Sequence, residues 1–169
     1  RLPSLVAGGC HRQRLYIMRA DGSGRHELMA DLDRDVASPR WSEGSEHLFF
    51  SFDDKGDTVL AMTDLKGRMV RLAEGLGGIS LGRPYAGSAF AVGGDDVFAY
   101  TAGDTSRPAD IAAGQPGHEA PARLTALNEN FLAHRDLARV EERWISSSAD
   151  GEKIQAWLAL PPGFDRNRK

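Results

Sequence analysis

Tyr16-Ile17-Met18-Arg19-Ala20-Asp21-Gly22-Ser23-Gly24-Arg25 and Val59-Leu60-Ala61-Met62-Thr63-Asp64-Leu65-Lys66-Gly67-Arg68 are two versions of one phrase, set 43 residues apart. Each runs through a short, largely apolar stretch to an aspartate, crosses a polar turn ending Gly-Arg, and continues to a leucine, Leu28 or Leu72. Asp and Gly tolerate positive φ at little cost, so the phrase reads as strand, tight turn, strand. A degraded third copy begins at Ala109-Asp110-Ile111-Ala112-Ala113-Gly114 and resumes after an insertion at Arg123-Leu124-Thr125. Ahead of the second copy, Pro39-Arg40-Trp41-Ser42-Glu43-Gly44-Ser45 leads into an apolar strand around Leu48-Phe49-Phe50. Four strands in about 43 residues is the period of a β-propeller blade.

The rest of the chain fits an all-β reading. Strands are predicted at Arg14–Ala20, Glu46–Phe52, Asp57–Thr63, Val97–Thr101 and Lys153–Leu160, with hairpin turns at Asp21–Gly24 and Asp53–Gly56. Glycine, 19 of 169 residues, falls between these segments. Leu124, Leu127, Phe131 and Leu132 have helical spacing, which predicts a short helical turn near Asn128–His134; a helix continuing through Trp144 is the alternative. Val140–Ser147 and Lys153–Leu160 flank Ala149-Asp150-Gly151-Glu152 as a hairpin, and Pro161-Pro162 ends it because proline donates nothing to a ladder.

Composition narrows the function. With 41% hydrophobic and 27% charged residues the chain is of ordinary globular type, long enough for one domain or a piece of a larger one. A formal net charge of −3 and the lack of a Lys/Arg stripe argue against nucleic-acid binding. No apolar run approaches the length of a membrane-spanning helix. The single cysteine, Cys10, excludes an internal disulfide or a multi-cysteine metal site and fits a reduced, cytoplasmic compartment. The start at Arg1-Leu2-Pro3 and the end at Arg166-Asn167-Arg168-Lys169 read as the ends of a fragment.

Each chemical motif falls short of its requirement. Gly78-Ile79-Ser80-Leu81-Gly82 matches Gly-x-Ser-x-Gly, but glycines precede it where a strand should lead in and Pro84 follows where a helix should begin. It reads as a glycine-rich inter-blade turn. His26-Glu27 and His118-Glu119 have Ala30 and Ala122 where a zinc peptidase needs a second histidine, and His11, His47 and His134 lack metal-spaced partners. Asp31, Asp33 and Asp35 match the first ligands of a calcium loop, yet Val36 and Ser42 occupy its glycine and glutamate places. Gly75-x-Gly77-x-x-Ser80 fails the dinucleotide fingerprint at its third glycine. Trp41, Trp144 and Trp157 are read as packing residues, with any N–H satisfied locally. No residue is therefore assigned a catalytic, cofactor-binding or metal-binding role.

Three stretches resemble the prolyl oligopeptidase family of serine peptidases, in its acylaminoacyl-peptidase-like branch. Trp41-Ser42 before Leu48-Phe49-Phe50 is similar to the family's Trp-Ser-Pro-Asp-Gly turn, with Glu43-Gly44-Ser45 as a variant. Arg123-Leu124-Thr125-x-Leu127-Asn128 resembles the last propeller strand. Ser148 to Asp165, with its Asp-Gly turn, strand and Pro-Pro-Gly-Phe-Asp, resembles the opening hairpin of the α/β-hydrolase domain. The resemblance implies an incomplete β-propeller of about three blades over 1–136 and the start of the hydrolase domain over 137–169. It implies a parent that cleaves short peptides, with the catalytic triad beyond Lys169 and this segment restricting substrate access. An interaction scaffold without catalysis is the alternative, since propellers host many functions. An isolated three-blade piece would leave strand edges open, which predicts self-association or pairing with the rest of its polypeptide. Short peptides are the expected partners; nucleic acid, membrane and cofactors are not.

Overall fold

The computed structural model describes residues 12–78 and 88–167. Two short strands, β1 (Leu15–Ile17) and β2 (His26–Leu28), pair antiparallel. A four-stranded antiparallel unit follows: β3 (Ala37–Trp41), β4 (His47–Asp54), β5 (Asp57–Asp64) and β6 (Met69–Leu76). A second is built from β7 (Phe90–Val92), β8 (Phe98–Asp104), β9 (Arg107–Gly114) and β10 (Ala122–Arg123). The two units join where Leu76 of β6 pairs with Ala102 of β8. After one helical turn, α1 (Glu129–Leu132), the strands β11 (Arg139–Ser146) and β12 (Lys153–Leu160) form a separate hairpin sheet.

The strand pairs of the sequence repeat occupy equivalent places. β1–β2, β5–β6 and β9–β10 are each a strand, a turn or loop, and an antiparallel return. In the first two, the aspartate caps the turn: Asp21 accepts the Ser23 N–H at 2.8 Å, and Asp64 accepts those of Lys66 and Arg68, each at 2.9 Å. Gly24 and Gly67 stand at φ +66° and +82°, the left-handed conformation that glycine adopts freely.

β4 explains how the units stack. Leu48, Phe49, Phe50, Ser51 and Phe52 are all buried, although alternate residues of a strand face opposite ways. Phe50 and Phe52 join Leu15, Leu28, Val36 and Val59 on one side. Phe49 joins Leu60, Leu76, Phe98 and Tyr100 on the other. The sheet is therefore covered on both faces, by β1–β2 and by the second unit, as in a stacked propeller-like array. The tip of β4–β5 is a two-residue turn, Lys55-Gly56, with φ +50° and +81°, which matches the natural twist of paired strands.

The predicted variant turn forms as expected: the Ser42 Oγ accepts the N–H groups of Glu46 and His47 at 3.2 and 3.0 Å. The helical turn near Asn128–His134 is present as α1, and the alternative helix through Trp144 is replaced by β11. Reading the tryptophans as packing residues needs correction. Trp41, Trp144 and Trp157 are each about half exposed, because each stands on a sheet face or edge that only partly meets a neighbour. Leu124, Leu127 and Phe131 are likewise exposed. Leu124 lies just past β10 and outside the helical turn, its N–H bonded to Ile111 O at 2.7 Å, so the four apolar residues never share a helix face.

Candidate functional site

Ser80 lies outside the described residues, as does most of its Gly-x-Ser-x-Gly match. At the boundary, Gly78 has φ +81°, and a Cβ there would stand 2.8 Å from the Ala109 side chain. That close approach accounts for a glycine at this place between units. Among the described residues, no recorded serine hydroxyl bond reaches an imidazole. Ser42, Ser51 and Ser147 bond backbone groups, Ser106 bonds Asp104, and Ser146 accepts from Lys153.

The acidic loop is occupied by its own chain. Asp33 pairs with Arg12, and Asp35 accepts the Gln13 N–H at 2.7 Å. Val36 is buried in the apolar cluster and Ser42 caps its turn. Arg12, Asp33, Arg34, Asp35 and Asp53 line an open cleft of ≈ 350 Å³. Among the described residues, no three His, Cys, Asp or Glu side chains gather as metal ligands. His26 Nδ1 lies 3.0 Å from Gly24 O, and His47 Nδ1 lies 3.6 Å from Asp96.

Two carboxylates that sequence reasoning did not single out organise the units. Asp54 receives Arg71 at 2.5 Å and Arg34 at 2.8 Å, and these bonds hold its carboxyl below the ordinary range. Asp110, almost fully buried, accepts the Leu127 N–H at 2.9 Å and the Thr125 hydroxyl at 2.8 Å, with Arg123 at 3.4 Å. Those bonds, led by the Leu127 N–H, keep it ionised to lower pH than a free carboxyl. Both are structural clasps rather than reactive groups. The sequence clue for Asp110 was its place inside an apolar strand, with the polar Arg123 and Thr125 on the returning stretch.

The terminal hairpin carries the remaining concentration of polar groups. Glu141 is pushed up by desolvation, but Arg166, Arg143 and Arg139 outweigh it and hold the carboxyl low. Leu137, Arg139, Leu160, Pro161, Pro162, Gly163 and Phe164 line a shallow cleft of ≈ 270 Å³ beside it. The opposite hairpin face carries Glu142, Trp144, Gln155 and Trp157, of which Gln155 and Trp157 meet the Lys55-Gly56 turn of the first unit.

No family model matches the chain. Dipeptidyl-peptidase 5 of Porphyromonas gingivalis is 26% identical over 158 residues, covering 93% of this chain and 22% of that protein. Among solved structures, an acylaminoacyl peptidase in complex with Z-Gly-Gly-Phe-chloromethyl ketone superposes with a TM-score of 0.70 at 18% identity, over 92% of this chain and 22% of that one. The Pyrococcus horikoshii acylaminoacyl peptidase gives 0.66 at 18% identity, over 86% and 20%. The AtxE2 isopeptidase gives 0.66 at 13%, over 92% and 23%. The chain thus spans about a fifth of the length of the relatives it matches. Sequence likeness to dipeptidyl-peptidase 5 along nearly its whole length, and the β-propeller-like fold it shares with the acylaminoacyl peptidases, make this chain similar to a segment of these peptidases.

Proposed function

We propose that the chain is part of a cytoplasmic serine peptidase that hydrolyses short peptides, of the acylaminoacyl-, dipeptidyl- or oligopeptidase type. In this reading 1–136 supply about three blades of a propeller and 137–169 open the hydrolase domain. The observation that carries it is the likeness to dipeptidyl-peptidase 5, which runs across 93% of the chain. The separate β11–β12 sheet supports a change of domain after α1.

The chemistry would be acyl transfer. A serine attacks the scissile carbonyl while a histidine takes its proton and returns it to the leaving amine; backbone donors hold the oxyanion. Those groups belong to the remainder of the polypeptide in this reading. The contribution of this segment is a rigid, two-sided wall that limits entry to short, unfolded peptides, and its own clasps, Asp54 and Asp110, keep that wall in shape.

The test compares the full-length polypeptide carrying this segment with the 169-residue chain, on chromogenic acylaminoacyl and dipeptidyl substrates. The full-length protein is expected to turn over at least one, with activity abolished by a serine-directed phosphonate, and the short chain none. A full-length protein inert on both overturns the peptidase reading. Turnover by the short chain alone overturns the division of labour and points to Ser80.

A further inference from the structure

The terminal hairpin gathers more positive charge than it neutralises. Arg139, Glu141 and Arg143 alternate along β11 and so share one face, the face away from Trp144 and Trp157. Arg166, beyond the Pro161-Pro162 stop, reaches back to the same place. Glu141 pairs with all three guanidinium groups: Arg139 Nη2 at 2.7 Å, Arg166 Nη2 at 2.6 Å, and Arg143 Nη2. One carboxylate thus meets three cations, a local surplus of two positive charges. Asp165, the carboxylate of the return segment, is turned instead to the Asn167 N–H at 2.8 Å. Donors are in surplus too. A guanidinium carries five N–H groups, and each of these arginines meets Glu141 through Nη2 alone.

Beside this charge lies room for an apolar group. Leu160 stands opposite Arg139 in the ladder, and Pro161–Phe164 turn back beyond it, with the Phe164 N–H on Pro161 O at 3.1 Å. Leu137, Leu160, Pro162 and the half-exposed Phe164 wall the cleft of ≈ 270 Å³, and Arg139 lines it with them. Arg139 therefore belongs both to the cationic group and to the cleft.

We propose that this cleft binds the C-terminal carboxylate of a peptide ending in a large apolar residue: the carboxylate meets Arg139, backed by Arg143 and Arg166, and the terminal side chain lies against Leu137 and Phe164. Planar guanidinium forks match carboxylates, and Glu141 shows that this group of arginines accepts one. Surplus charge alone would serve any anion; the apolar walls select one that carries a hydrophobic group. A cleft of this size holds one residue rather than a folded partner. The site uses only residues of this chain and stands apart from the peptidase reading.

The 169-residue chain is titrated with N-acetyl-alanyl-leucine, and with the same peptide as its C-terminal amide. Salt is held at about 50 mM, where surface charges are only partly screened. Nuclear magnetic resonance follows the arginine Nε–H signals and the Leu137 and Leu160 methyl groups. The free acid should shift both sets saturably, with a Kd of about 1 mM. The amide, lacking the charge, should bind at least roughly tenfold more weakly. Arg139→Gln should weaken the free acid by a similar factor, and Phe164→Ala by roughly threefold. Both side chains are exposed, so the fold is retained, which unchanged Phe49 and Phe98 signals verify. No saturable shift with the free acid, equal binding of the amide, or an Arg139→Gln chain that binds like the parent overturns the site. Sodium acetate binding as tightly as the peptide does so as well, since the cleft is then only a counter-ion patch.

Discussion

Arg71 Nη2 donates to Asp54 Oδ2 across 2.5 Å, and that bond ties β6 to the tip of the β4–β5 hairpin. Arg34, from the segment between β2 and β3, reaches the other oxygen of the same carboxylate. Three elements distant in sequence are thus fastened at one point. The two guanidinium groups are 45% and 41% exposed, so water screens much of the attraction.

Asp54→Asn should therefore cost only about 1 kcal/mol at neutral pH. The arginines hold the Asp54 carboxyl low when folded, so its stabilisation is complete above the ordinary carboxyl value of about 3.9 and is lost as pH falls through the lowered folded value. Urea titrations of both proteins at about pH 7 and about pH 2 check this. The gap between them should narrow in acid.

Phe49 and Phe50 are adjacent and fully buried, yet belong to different apolar clusters. Each substitution by alanine removes a ring and leaves a cavity, at about 3–5 kcal/mol. Phe49→Ala should loosen the packing around Phe98, whose ring centre lies 6.5 Å away, and Phe50→Ala that around Phe52, at 6.0 Å. Methyl chemical shifts separate the two: Leu76 responds to the first and Val59 to the second.

Asp110→Ala should release the segment after β10. The Leu127 N–H and Thr125 hydroxyl lose their shared acceptor, so hydrogen exchange at Leu127 should accelerate while that of β4 and β5 stays slow. Because the native bonds lower the Asp110 carboxyl, the wild-type protection at Leu127 should itself fade only as pH drops below the ordinary carboxyl value. Exchange rates, corrected for the intrinsic pH dependence, check both statements.

Gly56→Ala places a methyl group inside the Trp157 ring contact at a residue with φ +81°. The backbone term alone is worth roughly 1–2 kcal/mol. The hairpin should also be displaced, seen as loss of the nuclear Overhauser contacts between Trp157 and the turn.

The repeat was legible because turn chemistry is local: Asp21 and Asp64 bond N–H groups within four residues, so their sequence neighbours carry the whole signal. Lys153–Leu160 was read to the residue for the same reason, between a Gly-containing turn and a proline pair. Trp41, Trp144 and Trp157 were misread because alternation tells which residues share a face, and not whether anything covers that face. The role of Asp110 depends on Thr125 and Leu127, brought back by a loop whose path no local pattern encodes. The seam at Lys55 and Gln155 joins residues 100 apart, and neither has a sequence context that names the other.

The two-sidedness of β4 also bears on inheritance. The phrase that recurs in the sequence is a strand pair, whereas the smallest piece that can shelter its own side chains runs from β1 through β8, since Phe50 needs Leu15 and Leu28 and Phe49 needs Phe98 and Tyr100. A duplicated copy would arrive with a bare phenylalanine face and find its cover only in a neighbour already present. Such a chain lengthens by intercalation between existing modules, and a single module grafted elsewhere must bring its flanking covers with it.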